Sequence, residues 1–446
     1  MVPVTPNRKE IMFVERTRAV LSNRVVQICI VGIVIRMVVG IFLTLVYDTS
    51  HWIRVSANIA SEFGLYGVPG YYYPPIWGYL LSSIMDVGKY VFGISTFSLN
   101  PDSMILVADD CGYMWTPTFA YLALLKGFLT LMDIVAGLLI YRIVMISTNS
   151  EKKATVGFAV WFLCPLIFVV SCVSTMFESI AVIFMLLTLL FASENRYVLA
   201  GVSFSLAVGT KVFPIYVMFV LISYVLIKNR DSLKTGLTNL STSIVAAIVT
   251  FVMICIPQIF YGSTDNIFGG ITGRLSIVDS GIFMDYSAFV ILQPMVIVFA
   301  VLMGLLLYFY ARSHRPDELD SCFFMVSLLT MAVVLMVPAG SPSYYVFAVP
   351  AFAYCTATRN LRYVLSLLFM SVTYVIVIFG APLPFLYTFA VNTGMLNLND
   401  LVELANTIYI KDTIPLKIIG TSGIWIFLLD LAYHSSLLRR RTYEKN

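Results

Sequence analysis

Runs of about 20 apolar residues, the length a helix needs to cross a bilayer, recur along this 446-residue chain and leave little room for anything else. Clear runs lie at 24–46, 118–142, 154–172, 175–193, 237–260, 287–310, 321–337, 343–357, 362–380 and 415–437. The stretch 197–228 is too long for one span and breaks at Gly209-Thr210-Lys211 and Pro214, so it reads as two short helices meeting at that break. The total is about twelve spans. Composition closes the soluble alternative. Only 12% of the residues are charged, against about 25% in an ordinary soluble domain. The sequence therefore predicts an all-α polytopic membrane protein. It divides into a basic N-terminus (1–23), a single transmembrane domain (24–437) and a basic tail (438–446).

The segment 74–94 is also apolar, but Asp86 and Lys89 interrupt it. It reads as a helix lying in or on the membrane surface rather than a span. With that reading and a cytoplasmic N-terminus, most of the 28 Lys and Arg fall on the cytoplasmic side, as the positive-inside rule requires. A full span at 74–94 would invert every later loop. Both termini are expected in the cytoplasm, and the polar first 23 residues do not read as a cleavable signal peptide. Three longer non-cytoplasmic segments result: 47–117, 261–286 and 381–414, rich in Tyr, Gly, Pro and Asp.

The net charge of +4 argues against a nucleic-acid partner. Seven Cys without a CxxC and three dispersed His (His51, His314, His434) give neither a disulfide framework nor a His-based metal site. No cofactor is expected. Asp109-Asp110 form a secondary acidic pair of the kind that suits a hard cation, although such pairs are more often solvated loop features.

The chemistry is expected where scarce charges meet the ends of spans. Asp48 follows the first apolar run, and the stretch 50–63 places Trp52, Val55, Ile59 and Phe63 at helical spacing, an amphipathic surface helix. Tyr66 to Trp77 is dense in Tyr, Gly and Pro, either an aromatic belt or a sugar platform. Lys126, Glu178 and Lys211 sit near span ends, while Arg36 and Asp133 fall inside spans, where a charge costs roughly 2.5–3.5 kcal/mol. Lys126 and Asp133 are separated by about two helical turns and do not pair directly.

Four stretches, with a later fifth, resemble the GT-C superfamily of membrane glycosyltransferases. Asp48 followed by Tyr73-Pro74-Pro75-Ile76 is similar to their catalytic acid and "YPPL" element. Lys126 with Asp133 resembles a Lys-and-Asp pattern of several branches. Cys164-Pro165-Leu166-Ile167, Ser171 and Met176-Phe177-Glu178-Ser179 resemble the "NP…S…ES" element of the enzymes that add the first mannose to GPI anchors. Ala200-Gly201 through Leu206-Ala207-Val208-Gly209-Thr210-Lys211-Val212-Phe213-Pro214-Ile215-Tyr216 resembles their "AG…GLAVHFKIYPIIY", and Ser343-Tyr344-Tyr345 to Pro350 a later aromatic-to-Pro element. The likeness is strongest over 24–220. Cys164, Thr175-Met176 and Thr210 depart from the GPI-enzyme pattern, so the likeness is to the superfamily and to related archaeal and bacterial proteins rather than to one pathway.

The resemblance implies a hexosyltransferase, foremost a mannosyltransferase. It would take its sugar from a polyprenyl- or dolichyl-phosphate carrier and pass it, with inversion, to a lipid or glycan acceptor hydroxyl on the non-cytoplasmic face. Asp48 would be the general base. Lys211 and Lys126 would hold the donor phosphate, and His51, Glu178, Tyr73 and Tyr344 would line the sugar or acceptor site. Short loops point to the plasma membrane of a prokaryote, an archaeon before others, with an ER membrane the alternative. Two rival readings stay open: a secondary transporter, which the broken helix at 209–214 fits, and a non-catalytic subunit that binds a lipid carrier.

Overall fold

The computed structural model describes residues 23–59, 64–67, 71, 73–95, 97–98, 116–260, 284–312, 318–337, 341–379, 385–407 and 414–434. They form a helical bundle with one small antiparallel pair, β1 (Phe97–Ser98) and β2 (Thr116–Pro117), in register Phe97 to Pro117. Its first half runs α1 (Arg24–Phe42), α2 (Val46–Ile59), α3 (Pro75–Asp86, prolonged by a π turn Val87–Val91), α4 (Phe119–Thr148), α5 (Glu151–Phe162) and α6 (Pro165–Phe168, prolonged by a π turn Val169–Val173). Then come α7 (Glu178–Ser193), α8 (Tyr197–Thr210), a 3₁₀ turn (Phe213–Val217), α9 (Met218–Lys228) and α10 (Leu233–Phe260). The second half comprises α11 (Met284–Arg312), α12 (Leu319–Val334), a 3₁₀ turn (Pro342–Ala348), α13 (Val349–Thr358), α14 (Tyr363–Phe379), α15 (Tyr387–Thr393), α16 (Leu398–Thr407) and α17 (Ile414–His434).

Local chemistry sets many boundaries. Asn23, Thr118 and Ser150 cap α1, α4 and α5 by accepting backbone N–H bonds from Val25, Tyr121 and Lys153. Asn149 adopts the left-handed conformation (φ 48°) that lets α4 turn directly into α5. Pro75 and Pro165 sit in the first turns of α3 and α6, where the missing N–H is harmless. The break at Leu163–Cys164 bends α5 against α6 by 47°.

Among the described residues, four helices are long and apolar enough to cross a membrane alone: α1, α4, α10 and α17. The bent α5–α6 pair makes a fifth candidate, and shorter apolar helices occupy the remaining expected spans except 343–357, where a 3₁₀ turn leads into the ten-residue α13. The expected break in 197–228 falls where α8 ends at Thr210 and the 3₁₀ turn begins at Phe213. Large side chains such as Met37 on α1, Met253 on α10, Phe309 on α11, Leu365 on α14 and Leu429 on α17 face outward, as a lipid-facing surface requires.

Two cores matter for the site. The main one joins Phe158, Trp161, Leu186, Tyr224, Phe323 and Phe352 through the bundle. A smaller one, at the end carrying α2, collects Trp52, Val55, Tyr71, Trp77, Leu81, Tyr121 and Phe177. The sequence predicts an amphipathic helix lying on lipid here. Protein covers its apolar face instead, because Trp52 packs edge-on against both Trp77 and Phe177.

Close packing of α8 on α10 depends on Gly201. A Cβ there would lie 2.1 Å from the Ser243 carbonyl oxygen, whereas one at Gly127 of α4 meets nothing within 4 Å. Gly201→Leu should therefore destabilise the protein by about 1–3 kcal/mol or more. Gly127→Ala should be neutral or stabilising by up to about 1 kcal/mol. Thermal unfolding of the purified full chain in detergent reads both.

Candidate active site

Three helix interruptions converge at the end of the bundle that carries α2. The first is the link between the π turn Val169–Val173 and α7. There Thr175 has φ 51°, a left-handed conformation uncommon for a β-branched residue, and the chain then delivers Phe177 and Glu178 at the start of α7. The second is the end of α8, where Lys211 leaves the helix in an extended conformation (φ −151°, ψ 140°). The third is the turn Pro342–Ala348, which carries Tyr344.

These interruptions bring Lys211 onto Glu178. The ammonium of Lys211 pairs with Glu178 Oε1, with both side chains almost wholly withdrawn from solvent. Aromatic faces surround the cation. Lys211 Nζ lies 4.8 Å from the Tyr344 ring centre, 4.9 Å from Phe177 and 5.2 Å from Tyr73, all within cation–π range. Phe177 in turn stacks on Trp77 at 4.5 Å, and Tyr344 stacks on Phe213 at 4.6 Å.

Asp48 stands in the first turn of α2, half-buried, within electrostatic reach of this pair. Burial, reinforced by the Glu178 carboxylate and only partly offset by the Lys211 ammonium, pushes the Asp48 carboxyl up to about 7. One turn on, burial and then the Arg54 guanidinium hold His51 down to about 4, so its imidazole is neutral. Buried polar atoms in this region without a hydrogen-bond partner among the described residues include His51 Nε2, Trp52 Nε1, Trp77 Nε1 and Glu178 Oε2. Buried polar groups are ordinarily satisfied, so such a cluster marks a place where a polar guest can bind.

Of the residues singled out from sequence, the structure assembles Asp48, Glu178, Lys211, Tyr73 and Tyr344, with His51 beside Asp48 on α2. Lys126 stands elsewhere. Its ammonium donates to Gly40 O (2.7 Å), Leu43 O (2.9 Å) and Thr44 Oγ1 (2.7 Å), closing the C-terminal end of α1. Asp109 and Asp110 lie outside the described residues. Among the described residues no three His, Cys, Asp or Glu side chains come together as a metal site. Sequence reasoning did not pair Arg36 with Asp133, although two opposite charges inside spans were the available signal. Nor did it see Phe177 as a wall of the lysine cage, or Trp77 as the ring stacked behind it.

The model of the ALG6, ALG8 glycosyltransferase family matches residues 41–297, more than half of the chain and the whole of this assembly except Tyr344. The chain belongs to that family. The match begins later than the expected 24 and continues past 220 into α11. GPI mannosyltransferase 1 of Saccharomyces cerevisiae is 27% identical over 194 residues, 37% of this chain and 48% of the relative. That match spans about half the relative's length. A crystal structure of ArnT from Cupriavidus metallidurans bound to undecaprenyl phosphate superimposes with a TM-score of 0.42 and 13% identity, covering 90% of this chain and 75% of that one. The family match agrees with the glycosyltransferase resemblance read from the motifs and sets the chain among glycosyltransferases rather than transporters.

Removing one member of a buried ion pair leaves the other uncompensated, at a cost of about 3–5 kcal/mol. Lys211→Met should therefore lower the unfolding temperature. Adding Glu178→Gln to that variant should recover a large part of the loss. Calorimetry of the two variants beside the parent protein measures both effects.

Proposed function

We propose that this protein transfers a hexose, foremost mannose, from a polyprenyl- or dolichyl-phosphate carrier to an acceptor hydroxyl on the non-cytoplasmic face of the membrane. The observation that carries the reading is the convergence of Asp48 with the caged Lys211–Glu178 pair. In the step proposed, the acceptor oxygen attacks the anomeric carbon of the sugar while its proton passes to Asp48. The bond from that carbon to the phosphate oxygen breaks, and the carrier phosphate leaves. A single displacement of this kind inverts the anomeric centre.

The roles follow from charge. A base must meet a hydroxyl proton as a carboxylate and works best with a pKa near the operating pH, and Asp48 is tuned to about 7. Lys211 is the cation for the phosphate, where negative charge grows as the sugar departs. Glu178 holds Lys211 with one oxygen and leaves the other, buried and unpartnered among the described residues, for a sugar hydroxyl. The indole N–H groups of Trp52 and Trp77 and the His51 imidazole are further partners for a polyhydroxylated guest. Tyr73 and Tyr344 provide aromatic faces. The name of the yeast relative favours mannose. The carrier is the lipid that membrane transferases of this superfamily use, and the acceptor's identity stays with the experiment.

The test is the purified full chain in lipid nanodiscs with dolichyl-phosphate-mannose, dolichyl-phosphate-glucose and candidate lipid or glycan acceptors. Transfer is expected from the mannose donor. Because only the unprotonated Asp48 can accept a proton, kcat/KM should rise with pH and level off above an inflection near 7. Asp48→Asn should lower kcat by about a hundredfold or more and abolish that inflection. Wild-type turnover by Asp48→Asn would remove Asp48 from the role of base. Absence of transfer from both donors would remove the reading itself.

A further inference from the structure

Asp133 is fully buried and touches neither Lys211 nor Asp48, yet four stretches of the chain meet on it. Its Oδ2 accepts from Ser171 Oγ at 2.6 Å and from Arg36 Nη2 at 3.3 Å, and its Oδ1 accepts from Ser179 Oγ at 2.5 Å. Its backbone carbonyl accepts from Trp161 Nε1 at 2.8 Å. Arg36 is fixed as well, by Phe162 O at 2.9 Å and by the Phe162 ring 4.1 Å away.

The two serines flank the segment that most needs holding. Between Ser171 and Ser179 lie the end of the π turn and the left-handed Thr175, then Phe177 and Glu178. A non-glycine residue in that conformation costs roughly 1–3 kcal/mol and persists only where its surroundings impose it. Here one carboxylate grips both sides of the link. The same link reaches the other half of the site, because Leu45 N–H donates to Val173 O at 2.9 Å and Asp48 follows within a turn.

We propose that Asp133, with Arg36, Ser171 and Ser179, is a positioning clamp for the transfer reaction. It fixes the strained 174–177 link so that Glu178 meets Lys211 and the Glu178 and Asp48 carboxylates keep their mutual placement. It rests on the transferase reading above, and it assigns these residues no contact with substrate. Ser179 is the informative member, since it adjoins Glu178 and its hydroxyl can be removed without unpairing a charge.

The experiment is a double-mutant cycle in the full chain, with Ser179→Ala, Glu178→Gln and the pair. Transfer kinetics and thermal unfolding are recorded on the same samples. A misplacement of about 1 Å costs on the order of a hundredfold in rate, so Ser179→Ala should lower kcat by about tenfold to a hundredfold with little change in KM for the donor lipid. Ser179→Thr, which keeps a hydroxyl, should recover most of that loss. In the Glu178→Gln background the same Ala substitution should cost far less, because the group it positions is already impaired. Equal losses in both backgrounds would overturn the clamp, as would a loss confined to KM. If the parent protein moves no sugar, the transferase reading fails by itself. The clamp is then judged on unfolding temperatures, where additive shifts for the two substitutions would overturn it. Should Ser179→Ala not accumulate as folded protein, Ser171→Ala takes its place in the cycle, with the same outcomes decisive.

Discussion

The pairing of Lys211 with Glu178 is the interaction on which the working end of this protein depends. Neither charge can be left alone among apolar side chains, since an isolated ion there is penalised far more heavily than a paired one. Each must therefore find the other, and this dictates where two helices begin and end. Glu178 has to open α7, and Lys211 has to stand just beyond α8 with its backbone extended. The rings of Tyr73, Phe177 and Tyr344 then close around the cation, bringing in the link before α3, the start of α7 and the 3₁₀ turn before α13. One ion pair thus sets the mutual placement of segments distant in sequence.

A bilayer makes such interruptions hard to maintain. Backbone groups freed by a break need partners, and lipid offers none. The protein supplies them from its own side chains and from neighbouring breaks. Lys126 satisfies the carbonyls at the end of α1, and the Leu45 N–H finds Val173 O across two interrupted segments. The Asp133 carboxylate holds the next break through side chains instead, accepting from the Ser171 and Ser179 hydroxyls on either side of it. Lys126 and Asp133 belong to one long uninterrupted helix, α4, so this helix acts as the stiff element against which the broken ones are held. Charges that composition alone would mark as reactive prove to be the fastenings of the backbone around the site.

That division explains what could be read from the residues. Helix positions follow from run length and from Pro, Gly and capping residues, and the break at Gly209–Pro214 was visible because an apolar run too long for one helix contained Lys211. Asp48, Glu178 and Lys211 stood out because ionisable groups beside hydrocarbon demand a reason. Which of these groups meet was not readable, since contacts between helices depend on rotation and crossing angle rather than on spacing along one helix. Lys126 and Lys211 look alike in sequence, yet one binds carbonyls and the other a carboxylate. Trp52 looked like a lipid-facing residue because periodicity reports an apolar face without naming what covers it.

The two carboxylates at the site are set apart by their surroundings, a familiar way of giving like groups unlike tasks. Glu178 has a cation in direct contact. Asp48 has no such direct partner among the described residues, is partly withdrawn from water, and feels the neighbouring Glu178 charge as repulsion. The fixed negative charge of Glu178 therefore serves twice. It holds Lys211 in place, and it adds to burial in raising the Asp48 carboxyl above the ordinary aspartate range. A carboxylate at the ordinary aspartate pKa would be a poor acceptor for a hydroxyl proton. The carboxylate that helps to order the backbone thus also adds to the effect of burial on the Asp48 carboxyl.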